Sequence, residues 1–119
     1  MNEKLLIVDD EKGVVDMLKS YFEMQSFVVY TAYDGETALK QAACHPDLVL
    51  LDINMPVMDG FEVLKAMNAN HTIEDIPVIM ISSEDSDATI RRSYELGASD
   101  YVNRPFDARI VYRRVTNTI

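Results

Sequence analysis

The sequence predicts an α/β fold: a five-stranded parallel sheet with a helix after each strand. Two observations carry this expectation. Short apolar runs of strand length recur at residues 5–8, 28–31, 48–51 and 78–81, with a fifth strand expected at 100–102. Between them lie stretches with apolar residues at helical spacing, so strand and helix alternate along the whole chain. Runs such as Leu48-Val49-Leu50-Leu51 lack the alternation of a half-exposed strand and suit a sheet covered on both faces.

Each helix has its own signal. The first places Val14, Leu18, Tyr21 and Phe22 on one face. The second opens at Asp34-Gly35-Glu36, turns Ala38, Leu39 and Ala42 inward and stops before Pro46. The third starts near Gly60 with Phe61, Leu64 and Met67 apolar, after the turn residues Met55-Pro56 and Asp59-Gly60, where glycine permits positive φ. The fourth is capped by Ser86 or Asp87, turns Ile90 and Tyr94 inward and ends at Gly97. The fifth begins near Asp107 and carries Ile110, Val111 and Val115.

Composition bounds the function. At 119 residues, 48% hydrophobic and 26% charged, the chain fits one globular domain. No apolar run approaches the ~20 residues of a membrane span, and the first ten residues carry acids where a signal peptide would carry base, so a cytoplasmic protein is expected. The single cysteine, Cys44, rules out an internal disulfide framework, and with His45 and His71 it makes no metal-binding spacing. A net charge of −9 argues against direct nucleic-acid binding. That charge is uneven: residues 91–119 hold six Arg against three acids, so the first ninety residues carry −12.

Parallel strands bring all their C-terminal ends to one edge, where ligands bind at the switch point of the strand order. In the flavodoxin-like, doubly wound order 2-1-3-4-5, strands one and three are neighbours. Asp9 and Asp10 then follow the first strand, Asp52 the third, Ser82 ends the fourth and Arg104 follows the fifth. Three carboxylates in one pocket repel each other unless a cation neutralises them. A hard divalent ion with oxygen ligands does so, and Mg²⁺ takes one or two carboxylates with waters and a phosphate oxygen. A carboxylate is also a competent nucleophile toward phosphorus, so the constellation suits phosphoryl transfer. There is no Gly-rich nucleotide loop.

These residues carry a family resemblance. The chain resembles the receiver domain of two-component response regulators along essentially its whole length. The matching pieces are Ile7-Val8-Asp9-Asp10-Glu11, Asp52-Ile53-Asn54-Met55-Pro56-Val57-Met58-Asp59-Gly60, Pro77-Val78-Ile79-Met80-Ile81-Ser82-Ser83 and Gly97-Ala98-Ser99-Asp100-Tyr101-Val102-Asn103-Arg104-Pro105-Phe106. The resemblance implies that Asp52 accepts phosphate from a sensor histidine kinase or a small phosphodonor. It implies Mg²⁺, with Mn²⁺ as a substitute, held by Asp9, Asp10, Asp52 and the Asn54 backbone carbonyl. Ser82 would bond the phosphoryl group, and Tyr101 would swing inward as the readout. Asn54 and Glu84 occupy variable positions that tune phosphate lifetime.

One position departs from the family pattern: Arg104 stands where Lys is usual. Arg104 is expected to pair with the phosphoryl group all the same, through a planar fork in place of a point charge. The Arg104–Pro105 bond is expected to be cis, as in the family. On this reading residues 1–119 are the N-terminal receiver of a longer response regulator. The receiver assists its own phosphotransfer and dephosphorylation without being a turnover enzyme. The segment from Arg104 onward is similar to receivers joined to diguanylate cyclase or cyclic-di-GMP phosphodiesterase domains, and receivers of this family dimerise through helix 4, strand 5 and helix 5. A degenerate receiver acting as a constitutive binding module is the alternative, and it rests on Arg104 alone. A haloacid-dehalogenase-type phosphatase is disfavoured, because it needs a second Asp two residues after the nucleophile and Asn54 stands there.

Overall fold

In the computed structural model, which describes residues 2–84, 86–104 and 107–119, alternation of side chains within the strands organises everything else. Strand β1 (Lys4–Val8) is followed by α1 (Lys12–Met24), β2 (Val28–Ala32), α2 (Gly35–Ala42) and β3 (Leu48–Asp52). Then come α3 (Gly60–Asn68), β4 (Val78–Ser82), α4 (Asp87–Glu95), β5 (Asp100–Asn103) and α5 (Ala108–Thr118). All strand pairings are parallel and the order is β2-β1-β3-β4-β5, as the sequence predicts.

Every residue of β3 and β4 is buried, because helices cover both faces of the sheet. Leu5, Ile7, Leu48, Leu50, Ile79 and Ile81 point to one face, where Val15, Leu18 and Phe22 of α1 and Val111 and Val115 of α5 meet them. Leu6, Val8, Val49, Leu51 and Met80 point to the other face, against Ala38 and Ala42 of α2 and Phe61, Leu64 and Met67 of α3. Burying each such Leu, Ile or Val side chain contributes roughly 1.5–3 kcal/mol, so the two layers carry most of the fold's stability.

Helices α2 to α5 start at side-chain caps. Asp34, Ser86 and Asp107 each accept a backbone N–H of the first turn. Asp59 and Glu62 form a reciprocal capping box at α3. Among the described residues, no helix is long and apolar enough to cross a membrane.

Several details differ from the sequence reading. On α1 it is Val15, with Leu18 and Phe22, that is fully buried, while Val14 and Tyr21 sit at the margin. Tyr94 on α4 and Ile110 on α5 are about half exposed, not inward: Ser93 takes the buried position of α4, where its hydroxyl donates to the Thr89 carbonyl at 2.9 Å. Gly60 is required for closeness and not for positive φ. A Cβ there would stand 2.4 Å from the Asp52 carbonyl oxygen and 2.7 Å from the Ile53 Cα. The left-handed residue of this loop is Val57 (φ 70°), whose side chain is fully exposed. The Arg104–Pro105 bond falls outside the described residues.

Close seating of α3 against the end of β3 therefore predicts a penalty for any side chain at position 60. Gly60→Ala should lower stability by about 1–3 kcal/mol, since backbone and not a flexible side chain would have to give way. Urea denaturation of the variant against wild type checks this.

Candidate functional site

The alternation that builds the two cores also sorts the polar residues at the C-terminal edge. Asp9 continues the Leu5–Ile7 parity beyond β1, and Asp52 continues that of Leu48 and Leu50, so both carboxylates lie on the α1 and α5 side of the sheet. Ser82 and Tyr101 share the parity of Met80 and belong to the opposite side. Ladder bonds continue one residue past the strands: Asp9 N–H to the Ala32 carbonyl, Ile53 N–H to Ile81 and Arg104 N–H to Ser82, at 3.1, 2.9 and 2.8 Å. Those bonds fix the strand ends, and hence the side chains, in position.

On the first side, carboxylate oxygens of Asp9, Asp10 and Asp52 lie within 4.8 Å of one another. Asp9 and Asp52 are almost wholly buried, and Asp10 is exposed. Asp9 Oδ1 accepts the Glu11 backbone N–H at 3.0 Å, and Asp52 Oδ1 accepts that of Asn54 at 3.2 Å. Arg104 enters from the end of β5. Its Nη2 donates to Asp9 Oδ2 and stands 3.6 Å from Asp52 Oδ1, while Nη1 donates to Glu11 Oε1 at 3.2 Å.

One guanidinium does not balance this much negative charge. Burial and the Asp9 carboxylate push Asp52 up to about 7, outweighing the opposing pull of Arg104 and the Asn54 N–H. Burial also raises Asp9, against the Glu11 N–H and Arg104. At 4.8 Å and an effective dielectric of about 20, two unit charges repel by roughly 3.5 kcal/mol, so the cluster favours either a proton or a further cation. A set of hard, anionic oxygens is the donor chemistry that a small divalent ion prefers, and the residues fit Mg²⁺.

On the second side the polar groups form a chain. The Ser82 hydroxyl donates to Asn54 Oδ1 at 3.2 Å and accepts the Glu84 N–H at 3.0 Å. Asn54 Nδ2 donates to Glu84 Oε1 at 3.1 Å, and Glu84 Oε2 accepts from the Thr89 hydroxyl at 3.1 Å. Tyr101 is buried and donates its hydroxyl to the Glu84 carbonyl. So Asp9, Asp10, Asp52 and Arg104 converge as the sequence predicts. Ser82 and Tyr101 instead converge on Glu84.

Sequence reasoning assigned no role to Glu11 or Thr89, which join these two groups. Glu11 follows the acidic pair directly, but nothing in its type or spacing announces an ion pair with a residue 93 positions away. Lys12, the first residue of α1, lies over the Tyr33 ring, 5.7 Å from its centroid.

Comparison with known proteins agrees with this geometry. The family model described as the response regulator receiver domain matches residues 5–116. The chain is 40% identical over 116 residues to the alkaline phosphatase synthesis transcriptional regulatory protein PhoP of Bacillus subtilis, covering 97% of this chain and 48% of that one. It thus spans about half the length of that curated relative. Among solved structures, the Vibrio cholerae chemotaxis protein CheY4 superposes with a TM-score of 0.94 at 28% identity, covering 100% of both chains. The receiver domain of the Francisella response regulator 1452 gives 0.90 at 30% identity, covering 98% of this chain and 95% of that one. The BeF3-activated DrrB receiver domain gives 0.88 at 28% identity, over 98% and 97%.

The raised Asp52 carboxyl sets a pH dependence. Between pH 3.8, the ordinary value, and about 7 the folded chain keeps a proton that the unfolded chain has released. Stability from this group is therefore full below the ordinary value and falls as pH rises toward 7. Without divalent metal, Asp52→Asn should match wild type near pH 4 and exceed it at pH 8 by on the order of 2–4 kcal/mol. Thermal melts in chelator across that range check the sign and the size.

Proposed function

The chain belongs to the response regulator receiver domain family, whose members are phosphoacceptor switches of two-component signalling, and we propose that Asp52 is the acceptor in this one. The observation that carries the assignment is the cluster itself: Asp52 is the carboxylate at the end of the central strand β3, gathered with Asp9 and Asp10 at one point. Receiver domains bind Mg²⁺ through such acidic clusters and interact with sensor histidine kinases. We assign the ion's ligands to Asp9, Asp10, Asp52 and the Asn54 carbonyl, a hard-oxygen set that also suits Mn²⁺.

In the reaction we assign, an Asp52 carboxylate oxygen forms a bond to phosphorus as the P–N bond to the donor imidazole breaks, the electron pair leaving on nitrogen. A bound Mg²⁺ supplies charge neutralisation for the phosphoryl oxygens. Arg104 offers N–H donors from the side of Asp9, 3.6 Å from Asp52. Ser82, at the end of the adjacent strand, is the hydroxyl we assign to the phosphoryl group, and it must turn from Asn54 to reach it. That turn disturbs Glu84 and so reaches Tyr101, the readout. Asn54 and Glu84, bonded to each other beside Ser82, are the residues we assign to phosphate lifetime, including self-catalysed dephosphorylation.

The output lies in partners or in further chain. A relative named as a transcriptional regulator, matched over about half its length, favours transcriptional control over the cyclic-di-GMP enzyme expected from the residues after Arg104. For self-association we propose the face of α4, β5 and α5, where Tyr94 and Ile110 line an open cavity of about 440 Å³.

The test is direct. With Mg²⁺ and acetyl phosphate, intact mass should show one phosphoryl adduct, absent in Asp52→Asn and after chelation of the metal. An adduct that survives Asp52→Asn would move the acceptor elsewhere. Arg104→Lys should leave adduct formation within about tenfold, since both side chains are cationic.

A further inference from the structure

The acid directly after the metal-binding pair, Glu11, is drawn into the site by Arg104. Glu11 is the N-cap residue of α1, yet its side chain makes no capping hydrogen bond. Its side chain is 66% exposed, so burial does not hold it. What holds it is a closed ring of bonds. Asp9 Oδ1 accepts the Glu11 N–H, Glu11 Oε1 accepts from Arg104 Nη1, and Arg104 Nη2 donates back to Asp9 Oδ2.

This ring ties the guanidinium to Asp9 and Glu11. Both of its terminal nitrogens bond to the β1–α1 corner, and the nearer one stays 3.6 Å from Asp52, beyond a good hydrogen bond. A lysine head has a single nitrogen on a flexible stem, so it could not span Asp9 and Glu11 in the same planar way. The departure from the family's usual Lys thus comes with two partners, Glu11 and Asp9, each taking one prong of the arginine.

We propose that Glu11 is a positioning residue: by holding one prong of Arg104 against α1, it limits how far that cation reaches an anion bound at Asp52. The proposal rests on Asp52 being the acceptor. An anionic phosphoryl group competes with Asp9 and Glu11 for one guanidinium, and neutralising Glu11 leaves one competitor fewer.

Beryllofluoride with saturating Mg²⁺ serves as the phosphoryl-like probe, its affinity read by ¹⁹F NMR. Removing any negative charge near an anion strengthens binding somewhat, so the decisive measurement is a double-mutant cycle of Glu11→Gln with Arg104→Gln. Glu11→Gln should tighten beryllofluoride by about threefold or more when Arg104 is present, and by clearly less when position 104 is Gln. Its urea midpoint should match wild type, because the side chain is mostly in water. The same factor in both backgrounds, or no change in either, overturns the proposal. If wild type and Asp52→Ala alike fail to take up beryllofluoride, the acceptor assignment itself falls, and this inference with it.

Discussion

Everything at the functional edge follows from crowding carboxylates where parallel strands end. Neighbouring β1 and β3 bring Asp9 and Asp52 into one corner, and both are buried there. Repulsion of a few kcal/mol per pair is a large share of the ~5–15 kcal/mol by which a domain of this size is stable. The fold tolerates it because the two apolar layers are continuous through β3 and β4, and because Arg104 and the backbone N–H groups of Glu11 and Asn54 offset part of it. The offset is incomplete, and the remainder is what gives the pocket its appetite for a cation. A fully neutralised pocket would be more stable and chemically idle.

Sheet alternation then sorts the polar residues of this edge onto two sides. Asp9 and Asp52 extend the side packed on α1 and α5, while Ser82 and Tyr101 extend the other. The two sides touch through Asn54, whose backbone N–H bonds Asp52 while its amide oxygen accepts from Ser82. Glu84 carries the connection onward with both main-chain groups and both carboxylate oxygens engaged. Hydrogen bonds therefore link Asp52 to Tyr101 through Asn54, Ser82 and Glu84.

The parts legible in the sequence were those set by period and by strand ends. Uniform apolar runs gave the strands to within a residue, and the carboxylates after them located the edge. Tyr94 and Ile110 misled because helical spacing tells which residues share a face, not which of two adjoining faces meets the sheet; on α4 a small Ser93 packs there instead. Gly60 was recognised as a turn glycine, but its cause, a backbone approach from β3, is a tertiary fact. Glu11 and Thr89 escaped for the same reason. Their partners are set by how loops converge at the sheet edge, and a one-dimensional pattern holds no record of that.

The arginine shows how a single substitution can alter a site without altering its charge. Lys and Arg carry the same +1, so net electrostatics at the edge are unchanged by the choice. What differs is valency in hydrogen bonds: two coplanar nitrogens let one side chain serve Asp9 and Glu11 together. A cation bound at two points is less free to follow a charge that appears at a third. The geometry at Asp52 thus makes the reach of Arg104 a property of the β1–α1 corner as much as of β5.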